Sequence, residues 1–271
     1  MPHNTAHQQC SNFQLSKHSV IIPSMTERKI KLTIAYDGSA YRGWQRQAQG
    51  IPTVQQTIEA VLARVVKHPV RLRASGRTDT AVHALGQVAN FRTNSPIPSQ
   101  RLALALNARL PKDIRIRRSQ TVPDNFDAIA SAHSKLYRYT VFNHTDMPAQ
   151  LANYAYHFWL PCNLPAMQHA ARALVGTHDF ASFAAAGQER LSTVRTLLAC
   201  HIHQKYHNIY FDLEGTGFLY HMVRNIVATL LEIGRGFWPP ERIHTILAAA
   251  DRSVAGPMAP PQGLCLQWVK Y

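Results

Sequence analysis

Two separated stretches carry residue types that could do chemistry together. The first is Gly76-Arg77-Thr78-Asp79. A glycine lets the chain turn sharply, and Arg77 and Asp79 then project from one short connection with the Thr78 hydroxyl between them. Apparent strands flank it, around Val70–Ala74 and Gly86–Arg92, and loops held between rigid strands commonly carry catalytic groups. A solvated turn in which Asp79 caps its own backbone has the same composition, so these four residues alone leave both readings open. The second stretch is the apolar segment Phe218–Gly234. Met222, Val223, Ile226, Val227, Leu230 and Leu231 surround Arg224, its only Lys or Arg. A cation in that setting either snorkels to water or is paired with a carboxylate nearby, for which Asp79 is a natural candidate. A guanidinium beside a carboxylate favours the ionised form that a nucleophile requires.

Two further groups point toward nucleic acid. Tyr41-Arg42-Gly43-Trp44-Gln45-Arg46-Gln47 interleaves aromatics with cations, a composition suited to RNA through base stacking and phosphate contact. Trp44 can equally anchor such a loop to the core, and the two roles are compatible. Tyr137 and Tyr139 lie two apart on one strand face, from which a tyrosine could stack on an extruded base. The net charge agrees: 29 Lys and Arg stand against 15 Asp and Glu, giving +14, and residues 1–140 hold 20 of the 29. That excess suggests a polyanionic partner met mainly by the first half of the chain.

Other chemistries are not supported. Gly215-Thr216-Gly217 precedes a helix, but no third glycine and no Gly-Lys-Ser/Thr follows, so it is not a phosphate loop. Cys200, His201, His203 and His207 lack a second ligand pair at zinc spacing, and His201 and His203 share a strand face without Cys200. No metal is expected. Phe180-Ala181-Ser182-Phe183 lacks the glycines of a nucleophile elbow. Four scattered cysteines form no disulfide framework and fit reduced thiols in the cytoplasm. No segment approaches the length of a membrane span.

The elements that must position these residues follow from periodicity. Residues 1–27 are polar, without an apolar period, and read as a disordered leader. Ile30, Leu32, Ile34 and Tyr36 alternate as a half-buried strand. Thr53 and Gln56 form a capping box before a helix striped with Val54, Ile58, Val61, Leu62, Val65 and Val66. Ser99 caps a second helix that ends at Pro111, and Asp113–Thr121 is a strand. Strands are then expected over Leu136–Phe142 and Tyr154–Trp159. A helix over Pro165–Val175 stops at Gly176. A hairpin covers Val194–Tyr206 and Asn208–Glu214. Helices cover Phe218–Ile233 and Pro240–Ala249, and Leu264–Tyr271 is the last strand. The expected fold is α+β: two ferredoxin-like, RRM-like βαββαβ halves forming a mostly antiparallel central sheet flanked by helices. The aromatic strand pattern of a simple RRM is absent around Gln87–Arg92. Residues 28–130 form the half carrying the Asp79 loop, and residues 131–271 the half completing the site.

Six stretches, in order, match one family: Tyr36-Asp-Gly-Ser-Ala-Tyr-Arg-Gly-Trp-Gln-Arg-Gln47, Gly76-Arg-Thr-Asp79 with Val82-His83-Ala84, Asn107-Ala-Arg-Leu-Pro111, Lys135-Leu-Tyr-Arg-Tyr139, His221-Met-Val-Arg-Asn225, and Gly256-Pro257 with Gly263-Leu264. Over residues 28–271 the chain resembles the TruA family of tRNA pseudouridine synthases. The resemblance implies that Asp79 is the nucleophile, Arg224 its ion-pair partner, Tyr137 the residue against the target base and Leu264 an apolar neighbour of that base. Arg77 would position the loop or a phosphate, and Arg42, Trp44 and Arg46 would contact substrate. It further implies isomerisation of uridines 38, 39 and 40 in the anticodon stem–loop after base flipping, without metal or organic cofactor, by a homodimer with tRNA across both subunits. A non-catalytic tRNA-binding protein or RNA chaperone on the same fold is the alternative, and Asp79 discriminates the two. Three positions depart from the family pattern: Thr80-Ala81 replace Ala-Gly, Ile129 stands where an arginine is common, and Met258 where a threonine is usual. If the replaced glycine holds a left-handed backbone, Ala81 strains the loop by about 1 kcal/mol.

Overall fold

A computed structural model describes residues 26–48, 50–185 and 192–271. The leader expected over residues 1–27 lies almost entirely outside them. Alternating burial runs through β1 (Arg28–Tyr36), with Ile30, Leu32, Ile34 and Tyr36 inward. The chain continues through α1 (Val54–Val66), β2 (Arg73–Ala74), β3 (His83–Thr93), α2 (Ser99–Asn107) and β4 (Ile114–Val122). The second set is β5 (Ser134–Phe142), β6 (Tyr156–His157), α3 (Leu164–Arg172), β7 (Gly176–Asp179), β8 (Val194–Lys205), β9 (Asn208–Gly215), α4 (Met222–Gly234), α5 (Arg242–Ala249) and β10 (Leu264–Lys270).

The strands form one sheet in the order β4-β1-β3-β10-β5-β9-β8-β7, with β2 on β3 and β6 on β5. All pairings are antiparallel except β10–β3 and β5–β6. Strands β4-β1-β3-β2 have the split order of a ferredoxin-like unit, and β10-β5-β9-β8 repeat that order. The two sets meet where β10 runs parallel to the start of β3, pairing Cys265 with His83 and Leu266 with Ala84. The start of β3 directly follows the Asp79 loop. The seam between the sets therefore brings residues from both halves of the sequence to that loop.

Several boundaries differ from expectation for identifiable reasons. The strand expected around Val70–Ala74 shrinks to Arg73–Ala74, and β3 begins earlier, at His83, because β10 supplies its partner there. Thr53 caps α1, its side chain accepting from the Gln56 N–H, but Ser99 caps nothing. Ser99 is the first helical residue after Pro98, and its carbonyl accepts from the Ser119 hydroxyl. Only Tyr156 and His157 of Tyr154–Trp159 pair as strand. Helix α3 stops at Arg172, and Gly176, with φ +116°, opens an unforeseen edge strand, β7. The apolar helix begins at Met222 rather than Phe218, because His221 adopts a left-handed conformation at φ 62°.

Candidate active site

The Asp79 loop is held from beneath by the Tyr41–Gln47 loop. The Trp44 N–H donates to the Thr78 carbonyl at 3.0 Å, and the Tyr36 and Thr78 hydroxyls lie 2.8 Å apart. Trp44 is 3% exposed, its ring tilted against Tyr36 at 6.0 Å. The buried indole takes the anchoring role that the sequence allowed for it. The Gln47 side-chain amide closes the Tyr41–Gln47 loop by donating to the Arg42 carbonyl. The two loops touch through Gly43, which has φ +83°. A β-carbon there would sit 2.6 Å from the Thr78 carbonyl oxygen and 3.1 Å from the Asp79 carbonyl carbon. Only glycine satisfies both the backbone conformation and the close approach. Ala81 is also left-handed, at φ 61°, and its N–H donates to the Tyr41 carbonyl.

Opposite the loop stands the start of α4. Arg224, 6% exposed, directs Nη1 to Asp79 Oδ2 at 3.1 Å, and its Nε donates to the Ala259 carbonyl at 2.7 Å. The guanidinium is thus paired inside the protein and does not snorkel. Residues 79 and 224 meet because α4 packs against β5, the strand beside β10 at the seam between the two sets. His221 brings Nε2 to 3.3 Å from the same carboxylate oxygen, with its ring stacked on Tyr220 at 3.6 Å. Burial lowers the His221 pKa; Asp79 opposes that shift, and Arg224 and Arg252 reinforce it. Oδ2 is thus the oxygen facing both α4 groups.

These groups border a cavity of about 1320 Å³. Its lining includes Arg42, Arg46, Arg77, Lys135, Arg195 and Arg224, against the single carboxylate of Asp79. Tyr137 and Leu264 are buried on its wall, Tyr137 meeting Phe218 edge-on at 5.1 Å. Burial raises the Tyr137 hydroxyl pKa, so the phenol is neutral. Tyr139, on the same strand face, is fully buried away from the cavity and donates to the Pro260 carbonyl. Arg77 and Arg42 are exposed at the rim. Arg46 pairs with Glu59 at 2.7 Å while still lining the cavity. Ile129 lines the wall with half its surface exposed; Met258 is exposed but not on the wall.

Three contributors were missed in the sequence. Gly43 gave no cue, since a close backbone approach has no sequence signature. His221 could have been found from its spacing of three from Arg224, which places both near the same helix start. Lys135 hydrogen-bonds the Ser75 carbonyl, and burial pushes its pKa down to about 8. Among the described residues no group of three His, Cys, Asp or Glu side chains could hold a metal ion, and no helix is long and apolar enough to cross a membrane.

A half-buried carboxylate paired with a buried guanidinium, inside a strongly basic cavity on an α+β sheet whose strand order repeats, defines an enzyme that works on nucleic acid. A family model described as tRNA pseudouridine synthase matches residues 32–129 and 170–271. The chain belongs to the tRNA pseudouridine synthase family, enzymes that isomerise uridine to pseudouridine. Curated relatives include tRNA pseudouridine synthase A 2 of Clostridium perfringens, 43% identical over 90% of this chain and 100% of the relative. They also include tRNA pseudouridine synthase A of Exiguobacterium sp., 45% identical over 90% of this chain and 98% of the relative. The archaeal box H/ACA sRNP Nop10–Cbf5 complex is a solved structure with a TM-score of 0.34 at 12% identity; the match covers 88% of this chain and 48% of that one. The interval between the two ranges matched by the family contains β5 and therefore Lys135 and Tyr137.

Proposed function

We propose that this tRNA pseudouridine synthase acts on uridines 38, 39 and 40 of the anticodon stem–loop, with Asp79 as nucleophile and the target base flipped into the cavity. The observation that carries this reading is the Asp79–Arg224 pair, at 3.1 Å, inside a cavity lined by six basic residues. A base inside a stem or stacked loop is out of reach of a recessed carboxylate, so the nucleotide must leave its stack. The uracil then lies beside Tyr137 and Leu264, whose burial makes one side of the pocket apolar. Arg224 and His221 approach Oδ2, which leaves Oδ1 to face the substrate.

The reaction exchanges one bond at the sugar. The N1–C1′ bond breaks with assistance from the Asp79 carboxylate, the uracil turns, and C5 bonds to C1′. The C5 proton is lost and N1 gains one, so the product is an isomer and no cofactor is consumed. The neutral Tyr137 ring holds the base while it turns. Arg77 and Arg42, exposed at the rim, meet backbone phosphates as the arm enters. The enzyme works in the cytoplasm as a homodimer with tRNA lying across both subunits, which sedimentation of the protein with and without tRNA checks.

The deciding experiment is Asp79→Asn assayed with a tRNA transcript. Binding is retained and pseudouridine formation is lost. Turnover at the wild-type rate by that variant removes Asp79 as nucleophile. A wild-type protein that binds tRNA but never isomerises it makes the chain a tRNA-binding protein or RNA chaperone. Mapping pseudouridine in tRNA from cells with and without the protein fixes the positions.

A further inference from the structure

Lys135 lines the cavity and has no role in the reading above. Lys135 stands two residues before Tyr137 on β5, so both side chains leave the same face of the sheet, and both line the cavity. Its ammonium group hydrogen-bonds the Ser75 carbonyl at the base of the Asp79 loop. It sits 3.3 Å from where a β-carbon on Gly76 would lie, so the glycine that turns the loop also leaves room for the lysine tip.

The surroundings of Lys135 are short of negative charge. Its register partner on β9 is Gly215, and on β10 it is Val269, so neither adjacent strand offers a carboxylate directly opposite. The charged and titratable groups sharing its cavity are Arg42 and Arg46, Arg77 and Asp79 of the loop, Tyr137 of β5, Arg195 of β8, Tyr220, and His221 and Arg224 at the start of α4. Asp79 is the sole carboxylate among them, and its Oδ2 faces Arg224 and His221. No carboxylate among the described residues lies within ion-pair distance of Lys135. Lys135 is half-buried, and a cation drawn partly out of water normally has a compensating charge.

We infer that the compensating charge is supplied by the substrate: Lys135 is a phosphate-binding residue on the cavity floor that holds a backbone phosphate of the flipped nucleotide. With one N–H committed to the Ser75 carbonyl, the ammonium has two left for phosphate oxygens. The same lysine thereby links the phosphate to the backbone of the loop that carries Asp79, so nucleotide and nucleophile are positioned from one point. Burial alone holds its pKa down near 8 in the free protein, which is the state expected of a cation site awaiting its anion. This assignment rests on the reading of the cavity as the tRNA site.

The test is equilibrium binding of a tRNA transcript carrying cytidine at the target uridines, with wild type, Lys135→Ala, Lys135→Met and Lys135→Arg, each first shown to be folded by its melting temperature. Lys135→Met keeps most of the stem and removes the ammonium group, with its charge and its hydrogen bond to the Ser75 carbonyl. Both neutral variants bind roughly tenfold more weakly, and the slope of log affinity against log salt falls by about one phosphate contact. Lys135→Arg keeps the wild-type slope. Wild-type affinity declines as pH rises past about 8, while Lys135→Arg, always charged, does not share that decline. A folded Lys135→Met protein with the wild-type salt slope overturns the assignment, even if Lys135→Ala is weakened, because the stem and not the charge then matters. If wild type neither binds nor modifies the parent transcript, the tRNA reading falls with it. If wild type does both and Lys135→Met is indistinguishable, only the Lys135 assignment falls.

Discussion

Removing the guanidinium that faces Asp79 is the perturbation with the best-defined consequence. At 3.1 Å the Asp79–Arg224 attraction is about 5 kcal/mol at the effective dielectric typical near a protein surface. Most of that is offset by desolvating Arg224, whose side chain is 7% exposed. Asp79 keeps 22% exposure, so water can partly replace its lost partner. A net pair coupling of roughly 1–3 kcal/mol follows. Arg224→Ala also leaves the Ala259 carbonyl without the Nε donor now 2.7 Å away, adding about 1–3 kcal/mol if no water reaches it. The expected total is roughly 2–6 kcal/mol. Asp79→Asn costs less, because an amide oxygen still accepts from Nη1. Urea unfolding of wild type, both single variants and the double variant closes a thermodynamic cycle. The coupling must be favourable and at least about 1 kcal/mol. Pseudouridine formation by Arg224→Ala should be lost beyond what its stability explains, with Arg224→Lys failing to restore it because a point charge cannot serve Asp79 and Ala259 together. Additive single-variant costs, or wild-type turnover in Arg224→Ala, would refute the reasoning.

Further expectations are independent of that pair. Gly43→Ala places a methyl 2.6 Å from the Thr78 carbonyl at φ +83° and should cost at least about 2 kcal/mol while displacing Asp79; an unchanged melting temperature and rate would contradict it. Ala81→Gly relieves a left-handed alanine, offset by extra freedom in the unfolded chain, so a gain of at most about 1 kcal/mol with turnover retained is expected; a lower melting temperature would argue against strain. Burial lowers the His221 pKa below its ordinary 6.5, so the unfolded chain binds the proton more readily. Its contribution to stability is full above pH 6.5 and is lost as pH falls through the folded value; His221→Gln should flatten stability over that acid window, and an identical pH profile would exclude the linkage. Affinity for tRNA should fall steeply with salt, and a flat response would mean that the basic rim does not track phosphates.

The alternating apolar pattern of β1, the capping box at Thr53 and the apolar helix at α4 were legible because each is local, decided by side chains a few residues apart. Arg224 stood out for the same reason: one cation in an apolar stretch requires a partner. Resemblance added the family and the roles expected of Asp79, Tyr137 and Leu264. Tertiary structure alone decided what depends on distant segments meeting. The parallel pairing of β10 with β3 set where β3 begins and how short β2 is, since a strand's length depends on its neighbour. It decided that Trp44 lies under the loop instead of on the cavity wall, because exposure of an aromatic depends on what packs over it. It placed the guanidinium of Arg224 beside a carboxylate 145 residues away and left Lys135 without one, and neither distance is encoded in local periodicity.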